Sequence, residues 1–182
     1  MNGLAITAAH ARELLARIGA LGLTVPDGGS LVFAVTDADG RLLATTTVAE
    51  LLRIAKKDGA VLGMPPDTAA YEPTGRQQTF VETRDRTCRM PNCGQRAGLA
   101  DHDHVIPHAE GGETTCTNLC CLCRSHHRLK TFARRWTFRM DPDGTLHVTS
   151  PSGITRSTRP PGLRPPEPEP PPDHPADDPP PF

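Results

Sequence analysis

The spacing of apolar residues predicts a helix near the start of the chain. Leu14, Ile18 and Leu21 recur at the spacing of one helix face. Thr7 has a side chain suited to cap the first turn of this helix, which we expect to continue to about Ala20. The polar stretch VPDGGS then ends the helical pattern.

Strand and helix patterns follow in quick succession. Apolar runs on both sides of a turn predict a β-hairpin within residues 30–45. Thr47 and Glu50 have the spacing of a capping box and predict a second helix, which the Asp-Gly pair at 58–59 ends. These features predict a small α+β segment over residues 1–69, which we interpret as part of a domain of unknown function.

A third helix is predicted over residues 74–86. Phe80 and Val81 form its inward face. Its three arginines are expected on or near the outer faces: Arg76, Arg84 and Arg86.

A β-hairpin is predicted over residues 136–150, before the proline-rich end of the chain. Residues 136–140 and 146–150 flank an Asp-Pro-Asp-Gly turn, which is a strong hairpin pattern. Trp136 and Phe138 supply apolar area in its first strand. We therefore expect this hairpin to cover the region that holds the cysteines.

The chain ends in an acidic, proline-rich tail. Residues 160–182 contain 12 of the 20 prolines, five acidic residues and one arginine. Such a segment buries too little apolar surface to offset its ordering entropy, which predicts disorder with polyproline II character. We place the boundary of this tail at residue 156.

The acidic tail offsets a positive net charge in the rest of the chain. The net charge of the whole chain is −1 and the tail contributes −4, which leaves +3 for residues 1–159. Residues 76–139 hold 11 Lys and Arg against 6 Asp and Glu, a net charge of +5. Basic charge concentrated in this way suits a polyanionic partner.

The cysteines favour metal binding over disulfides. All six lie within residues 88–123, interleaved with histidines. Residues 1–20 have the pattern of an amphipathic helix and not of a secretory leader. The sequence also lacks an apolar run of about eighteen residues, so we expect no membrane span and a cytoplasmic protein with reduced cysteines.

Two short-spaced pairs have the arrangement of zinc knuckles. Cys88 and Cys93 form one pair, and Cys123 and His126 form the other. Together they make the Cys3His set of a tetrahedral structural zinc, which would stabilise a domain with few apolar residues. Cys120 also stands three residues before Cys123, so a Cys120-x-x-Cys123 knuckle is an alternative.

A second pattern is interleaved with the knuckles: Asp103-His104, Asn118 and His127. The stretch DHVIPHAEGGETTCTNLCCLCRSHHRLK resembles the HNH nuclease motif in its form with Asp-His-x-x-Pro, a Gly-Gly turn, Asn-Leu and Cys-x-x-His-His. Residues 70–155 as a whole resemble the zinc-stapled HNH domain of a bacterial group, in which it follows a domain of unknown function. The chain is similar to a shortened member of that group.

The resemblance implies a ββα-metal fold and a role for each residue of the pattern. A hairpin would carry Asp103 and His104, a loop would contain Asn118, and a helix would carry His127. Imidazole titrates near neutral pH, which suits His104 to act as general base. Asp103 and His127 would hold a catalytic divalent metal (Mg²⁺, Mn²⁺ or Zn²⁺), and Asn118 would orient His104 or pin the loop.

The implied substrate is DNA, and a basic cluster suits it. Five residues on and beyond the last predicted helix are the candidate phosphate contacts: Arg124, Arg128, Lys130, Arg134 and Arg135. The sequence therefore favours a metal-dependent endonuclease that hydrolyses DNA phosphodiester bonds.

Three alternatives remain open from the sequence. Asp101-His102 duplicates Asp103-His104, although the following Val-Ile-Pro favours the second pair. The chain could be a catalytically inactive zinc-stapled DNA-binding module, which needs the zinc ligands but not the second pattern. It could also be a protein-interaction adaptor that uses its proline-rich tail.

Overall fold

The structure is a computed structural model that describes residues 4–25, 27, 29, 31–56 and 61–163. The second predicted helix ends at Ile54, before the Asp-Gly pair at 58–59, which lies outside these residues. The predicted tail lies outside them from residue 164 onward, but a strand at Thr155–Thr158 crosses its predicted boundary at residue 156. Within the described residues the fold combines helices with small antiparallel sheets, in agreement with the predicted mixture of helices and strands.

The N-terminal part is a small α+β unit. Its elements are β1 (Leu4–Ala5), α1 (Ala8–Ala20), β2 (Val32–Thr36), β3 (Leu42–Thr47), α2 (Val48–Ile54) and β4 (Val61–Leu62). β1 pairs with β4 and β2 pairs with β3, both antiparallel. The predicted N-caps are confirmed, since the side chain of Thr7 accepts from the backbone of His10 and that of Thr47 from the backbone of Glu50. The side chain of Glu50 accepts from Thr46 and Arg76 and does not complete the predicted capping box. The core of this unit is formed by Ile6, Ala11, Ala44, Leu51, Ile54 and Leu62.

The C-terminal part contains the cysteines and histidines. Its elements are α3 (Gly75–Asp85), β5 (Asp101–His104), β6 (Leu119–Leu122), α4 (Arg124–Phe132), β7 (Thr137–Met140), β8 (Leu146–Thr149) and β9 (Thr155–Thr158). β5 pairs antiparallel with β6, and β7, β8 and β9 form a three-stranded antiparallel sheet. The predicted third helix and the predicted hairpin are both confirmed, and β9 extends that hairpin to a third strand.

Strand β6 lies at the centre of the C-terminal part, with both faces buried. Side chains alternate along a strand, so successive residues of β6 enter two different cores. Leu119 and Cys121 pack in the core of α3 with Phe80 and Val81. Cys120 and Leu122 pack on the other side, in a core with residues of β8. Leu42 of β3 also joins the core of α3, which ties the N-terminal unit to this part.

A buried charge network joins α3 to both cores. Asp85 is completely buried and accepts from Arg84 at 2.7 Å, from Arg89 at 3.2 Å and from the backbone N–H of Cys121 at 2.8 Å. The prediction that Arg84 lies on an outer face of the helix is therefore wrong. Its guanidinium turns inward because it also satisfies the carbonyl groups of Cys116 and Leu119, at 2.6 and 2.7 Å.

We expect Asp85→Ala to lower the free energy of unfolding by about 3–5 kcal/mol, because it leaves two guanidinium groups without their buried partner. Urea denaturation measures this change. Glu82→Ala, on the same helix, is the matched control, since the ion pair of Glu82 with His102 is partly exposed and should contribute about 1 kcal/mol or less. Equal losses in the two variants would contradict the stabilising role of Asp85.

Candidate functional site

Four potential metal ligands converge between the end of α3 and the start of α4. Cys88, Cys93, Cys123 and His126 each offer a ligand atom, and these atoms all lie within 4.8 Å of one another. The Nδ1 atom of His126 is 3.2 Å from the sulfur of Cys123 and 3.5 Å from that of Cys88. Three thiols and one imidazole at these separations suit a zinc ion or another metal ion.

Local backbone structure explains how each pair is formed. The backbone N–H of Cys93 donates to the carbonyl of Met90 at 3.1 Å, and Asn92 adopts a left-handed conformation with φ 65°, so the chain turns tightly between the first two cysteines. Cys123 is the N-cap residue of α4, and His126 lies one turn further along the same helix. The two side chains consequently face the same point.

The pKa values of the two thiols Cys88 and Cys123 shift in opposite directions. Burial raises the pKa of Cys88 to about 12, so without a cation this thiol keeps its proton at neutral pH. Burial also acts to raise the pKa of Cys123, but hydrogen bonds, first from the backbone N–H of His126, bring it below its ordinary value. Zinc bound by the four residues would hold both sulfurs as thiolates.

The alternative knuckle from Cys120 is not formed in the described residues. Cys120 is completely buried in the core beside β8, and it is not among the four residues that converge. Cys116 and Cys121 are likewise buried in the core of α3. These three cysteines act as small apolar residues.

Two residues of the second predicted group, Asp103 and His127, come together beside the first group. Asp103 and His104 end strand β5, and His127 lies in α4, next to the candidate metal ligand His126. The Oδ1 atom of Asp103 is 3.4 Å from the Nε2 atom of His127. The helix therefore contributes one histidine to each of the two sites.

His104 is buried beneath aromatic rings. It is 5% exposed, and its ring stacks on that of Tyr71 at 5.4 Å and meets the edge of His108 at 5.7 Å. Its Nε2 atom is 2.8 Å from the hydroxyl oxygen of Thr114. Burial lowers the pKa of His104 below that of an exposed imidazole, which keeps this ring neutral at physiological pH.

Asn118 pins the loop between β5 and β6. Its side chain accepts from the backbone N–H of Ile106 at 2.9 Å and donates to the carbonyl groups of Ile106 and Glu113. A Cβ atom at Gly112 would collide with the carbonyl of Ile106, so the loop needs glycine there. Of the two roles implied for Asn118, these contacts correspond to holding the loop.

The side chains of the duplicated pair, Asp101 and His102, point to opposite faces of β5. His102 turns toward α3, where its Nε2 atom is 3.1 Å from the carboxylate of Glu82. Asp101 shares the face of Asp103 and is 2.8 Å from the Nδ1 atom of His127. That hydrogen bond is the main cause that lowers the pKa of Asp101. Asp101 therefore orients His127, a role that strand alternation could have predicted.

The five basic residues predicted to contact DNA differ in their exposure. Arg124, Arg128, Arg134 and Arg135 are exposed. Lys130 is only 10% exposed, and its ammonium group is 2.8 Å from the Oδ2 atom of Asp103 and 2.6 Å from the carbonyl of His104. Lys130 therefore belongs to the site itself and not to the outer basic surface.

Curated relatives come from Mycobacterium tuberculosis strain ATCC 25618 / H37Rv. "Uncharacterized protein Rv3776" is 40% identical over 127 residues, which are 66% of this chain and 24% of the relative. "Uncharacterized protein Rv2100" is also 40% identical over 127 residues, covering 22% of its length. This chain thus spans about a quarter of the length of these relatives.

No family model matches the chain. No solved structure matches it either. Among the described helices, none is both long enough and apolar enough to cross a membrane.

Proposed function

We propose that this chain is a metal-dependent endonuclease of the HNH type that hydrolyses DNA phosphodiester bonds. The observation that carries the proposal is the group formed by Asp103, His104 and His127. The carboxylate of Asp103 and the imidazole of His127 lie 3.4 Å apart, and His104, which follows Asp103 in the chain, is buried and has a lowered pKa. In this interpretation β5, β6 and α4 are the ββα unit of the nuclease, and zinc holds the start of α4 in place.

The donor set of Asp103 and His127 fits a divalent cation. Two ligand atoms that each lie roughly 2.0–2.2 Å from one metal can be 3.4 Å apart, and one carboxylate with one imidazole suits Mg²⁺, Mn²⁺ or Zn²⁺. Asp101 supports this arrangement, since a carboxylate bonded to the far nitrogen of a histidine fixes the ring orientation. When bound, the cation would offset the negative charge that develops on the phosphate and on the leaving 3′ oxygen.

The protein residues supply the remaining chemistry. His104 would take a proton from the attacking water, because burial keeps its imidazole in the neutral, basic form. Asn118 would keep the β5–β6 loop closed around His104. The exposed arginines Arg124 and Arg128, on the helix of His127, would hold the backbone of the duplex by phosphate contacts.

The test is the metal requirement of cleavage. Brief EDTA treatment and gel filtration should remove weakly held metal, and zinc analysis should verify that about one zinc per chain remains. We expect this protein to leave an end-labelled duplex intact until Mn²⁺ or Mg²⁺ is added. Cleavage that continues at full rate in EDTA would contradict the proposal.

One observation favours a second candidate, the inactive DNA-binding module. The ammonium group of Lys130 already neutralises Asp103 at 2.8 Å, so a divalent cation has to bind against its charge. If that contact persists with DNA bound, the chain would bind duplexes without cutting them. Protein that binds DNA but cleaves none with any divalent metal would favour this second candidate.

Both candidates predict the same dependence of DNA binding on the exposed arginines. We expect Arg124→Glu combined with Arg128→Glu to weaken binding to any duplex. The slope of log K against log salt should fall in magnitude by about 2, because each lost phosphate contact removes about 0.9. Fluorescence anisotropy at several salt concentrations measures this slope.

Arg17→Glu is the matched control for this experiment. Arg17 is an exposed arginine of α1 in the N-terminal unit, and its reversal should leave the slope unchanged. Lys130 is kept in both proteins, because an acidic residue there would face Asp103. An equal slope in the double variant and the wild type would place the DNA on another surface.

A further inference from the structure

The hydroxyl group of Thr114 connects His104 to a backbone acceptor. It lies 2.8 Å from the Nε2 atom of His104 and donates to the carbonyl oxygen of Tyr71 at 3.4 Å. A threonine hydroxyl has a single hydrogen to donate, and a backbone carbonyl can only accept. When that hydrogen points to Tyr71, the hydroxyl oxygen accepts from His104, and the neutral imidazole carries its hydrogen on Nε2.

Thr114 is held firmly enough to impose this arrangement. It is 1% exposed, and its carbonyl oxygen accepts from the side chain of Gln77 at 2.8 Å and from the backbone of Thr68 at 3.2 Å. Gln77 is itself completely buried and belongs to the capping box at the start of α3. Thr114 is also β-branched, which restricts its χ1 angle. The hydroxyl is therefore fixed relative to α3.

The remaining contacts of His104 hold its ring and leave the other nitrogen free. Tyr71 stacks on the ring at an interplanar angle of 23°, and Lys130 donates to the carbonyl oxygen of His104. Within the described part of the chain, the Nδ1 atom of His104 has no hydrogen-bond partner. A hydrogen on Nε2 leaves the lone pair on Nδ1, where it can accept a hydrogen bond.

We propose that Thr114 is the positioning residue of His104: it selects the tautomer with the hydrogen on Nε2 and presents the lone pair of Nδ1 to the attacking water. This inference rests on the proposed nuclease function. The water gives a proton to Nδ1 and its oxygen bonds to phosphorus, while the bond from phosphorus to the 3′ oxygen breaks and that oxygen takes a proton from solvent. The imidazolium still carries its Nε2 hydrogen, so the bond to Thr114 persists through the step.

The first readout is the tautomer and needs no activity. We expect ¹⁵N NMR of the zinc-loaded full chain at about pH 8.5, above the ordinary histidine pKa of about 6.5, to show His104 protonated on Nε2. His104→Ala identifies the resonance by its disappearance. Thr114→Val should give a mixture of tautomers, whereas Thr114→Ser should keep the wild-type form. A wild-type His104 protonated on Nδ1 would overturn the inference, even if Thr114→Val fails to fold.

The second readout is cleavage at saturating Mn²⁺. Thr114→Val should cut DNA about 10- to 100-fold more slowly, which is the usual effect of losing a residue that orients a reactive ligand, and Thr114→Ser should be close to wild type. Thr79→Val, on the exposed face of α3, is the matched control and should change neither readout. A Thr114→Val protein with the wild-type tautomer and rate would overturn the inference. If no variant cleaves, the proposed function fails, and the NMR result alone decides the role of Thr114.

Discussion

Cys93→Ser is expected to release the zinc and unfold residues 88–131. Cys93 offers one of the three thiols of the cluster, and its backbone N–H donates to Met90 within the same turn. A structural zinc contributes roughly 10–16 kcal/mol of apparent binding free energy, whereas a whole domain is stable by roughly 5–15 kcal/mol. Loss of the metal should therefore exceed the stability that the surrounding cores supply.

Zinc analysis and NMR spectra of the purified variant measure these two effects. Cys116→Ala is the matched control, because Cys116 is as buried as Cys88 but packs in the core of α3, away from the metal ligands. The control should keep about one zinc per chain and a dispersed spectrum, with a modest loss of stability from the cavity. A Cys93→Ser protein that retains zinc and its fold would contradict the assignment of Cys93 as a ligand.

His104→Ala is expected to reduce DNA cleavage by roughly 10²–10⁴-fold, the usual effect of removing a general base. Zinc content and DNA affinity should stay at wild-type levels, because His104 contacts neither the zinc ligands nor the exposed arginines of α4 in the described structure. Single-turnover rates at saturating enzyme and metal measure the chemical step without a contribution from binding.

His102→Ala is the matched control for His104→Ala. Both histidines lie on the same face of β5, but His102 pairs with Glu82 of α3, whereas His104 contacts Thr114. Its removal should leave the single-turnover rate within about threefold of wild type. If His102→Ala is the variant that loses cleavage, the general base belongs to the Asp101-His102 pair and the proposed site is wrong.

Local sequence signals predicted much of the fold and the four residues of the cysteine–histidine cluster. Thr7 and Thr47 cap helices because a side-chain oxygen before an amphipathic run acts within one turn. Cys123 and His126 share a helix face because three residues span nearly one turn. The Asp-Pro-Asp-Gly turn sets the hairpin of β7 and β8. Each of these features depends on residues close in the chain.

Features that depend on packing could not be predicted in this way. Arg84 and Lys130 look like surface cations in the sequence, but each turns inward to satisfy groups that the fold places beside it. No sequence pattern marks Thr114, because its proposed role depends on contacts with Tyr71 and His104, which are distant from it in the chain. β9 has a polar, exposed sequence, so it lacks the alternation that marks a half-buried strand.

The central claim, that His104 acts as the base of a DNA-cleaving site, is tested most directly by one side-by-side time course. Zinc-loaded wild type and His104→Ala are mixed with supercoiled plasmid at protein concentrations that give equal DNA occupancy, and Mn²⁺ starts the reaction. The account predicts that wild type converts the plasmid to nicked or linear forms while His104→Ala leaves it supercoiled over the same period. Equal conversion by the two proteins, or no conversion by either while both bind the plasmid, would contradict it.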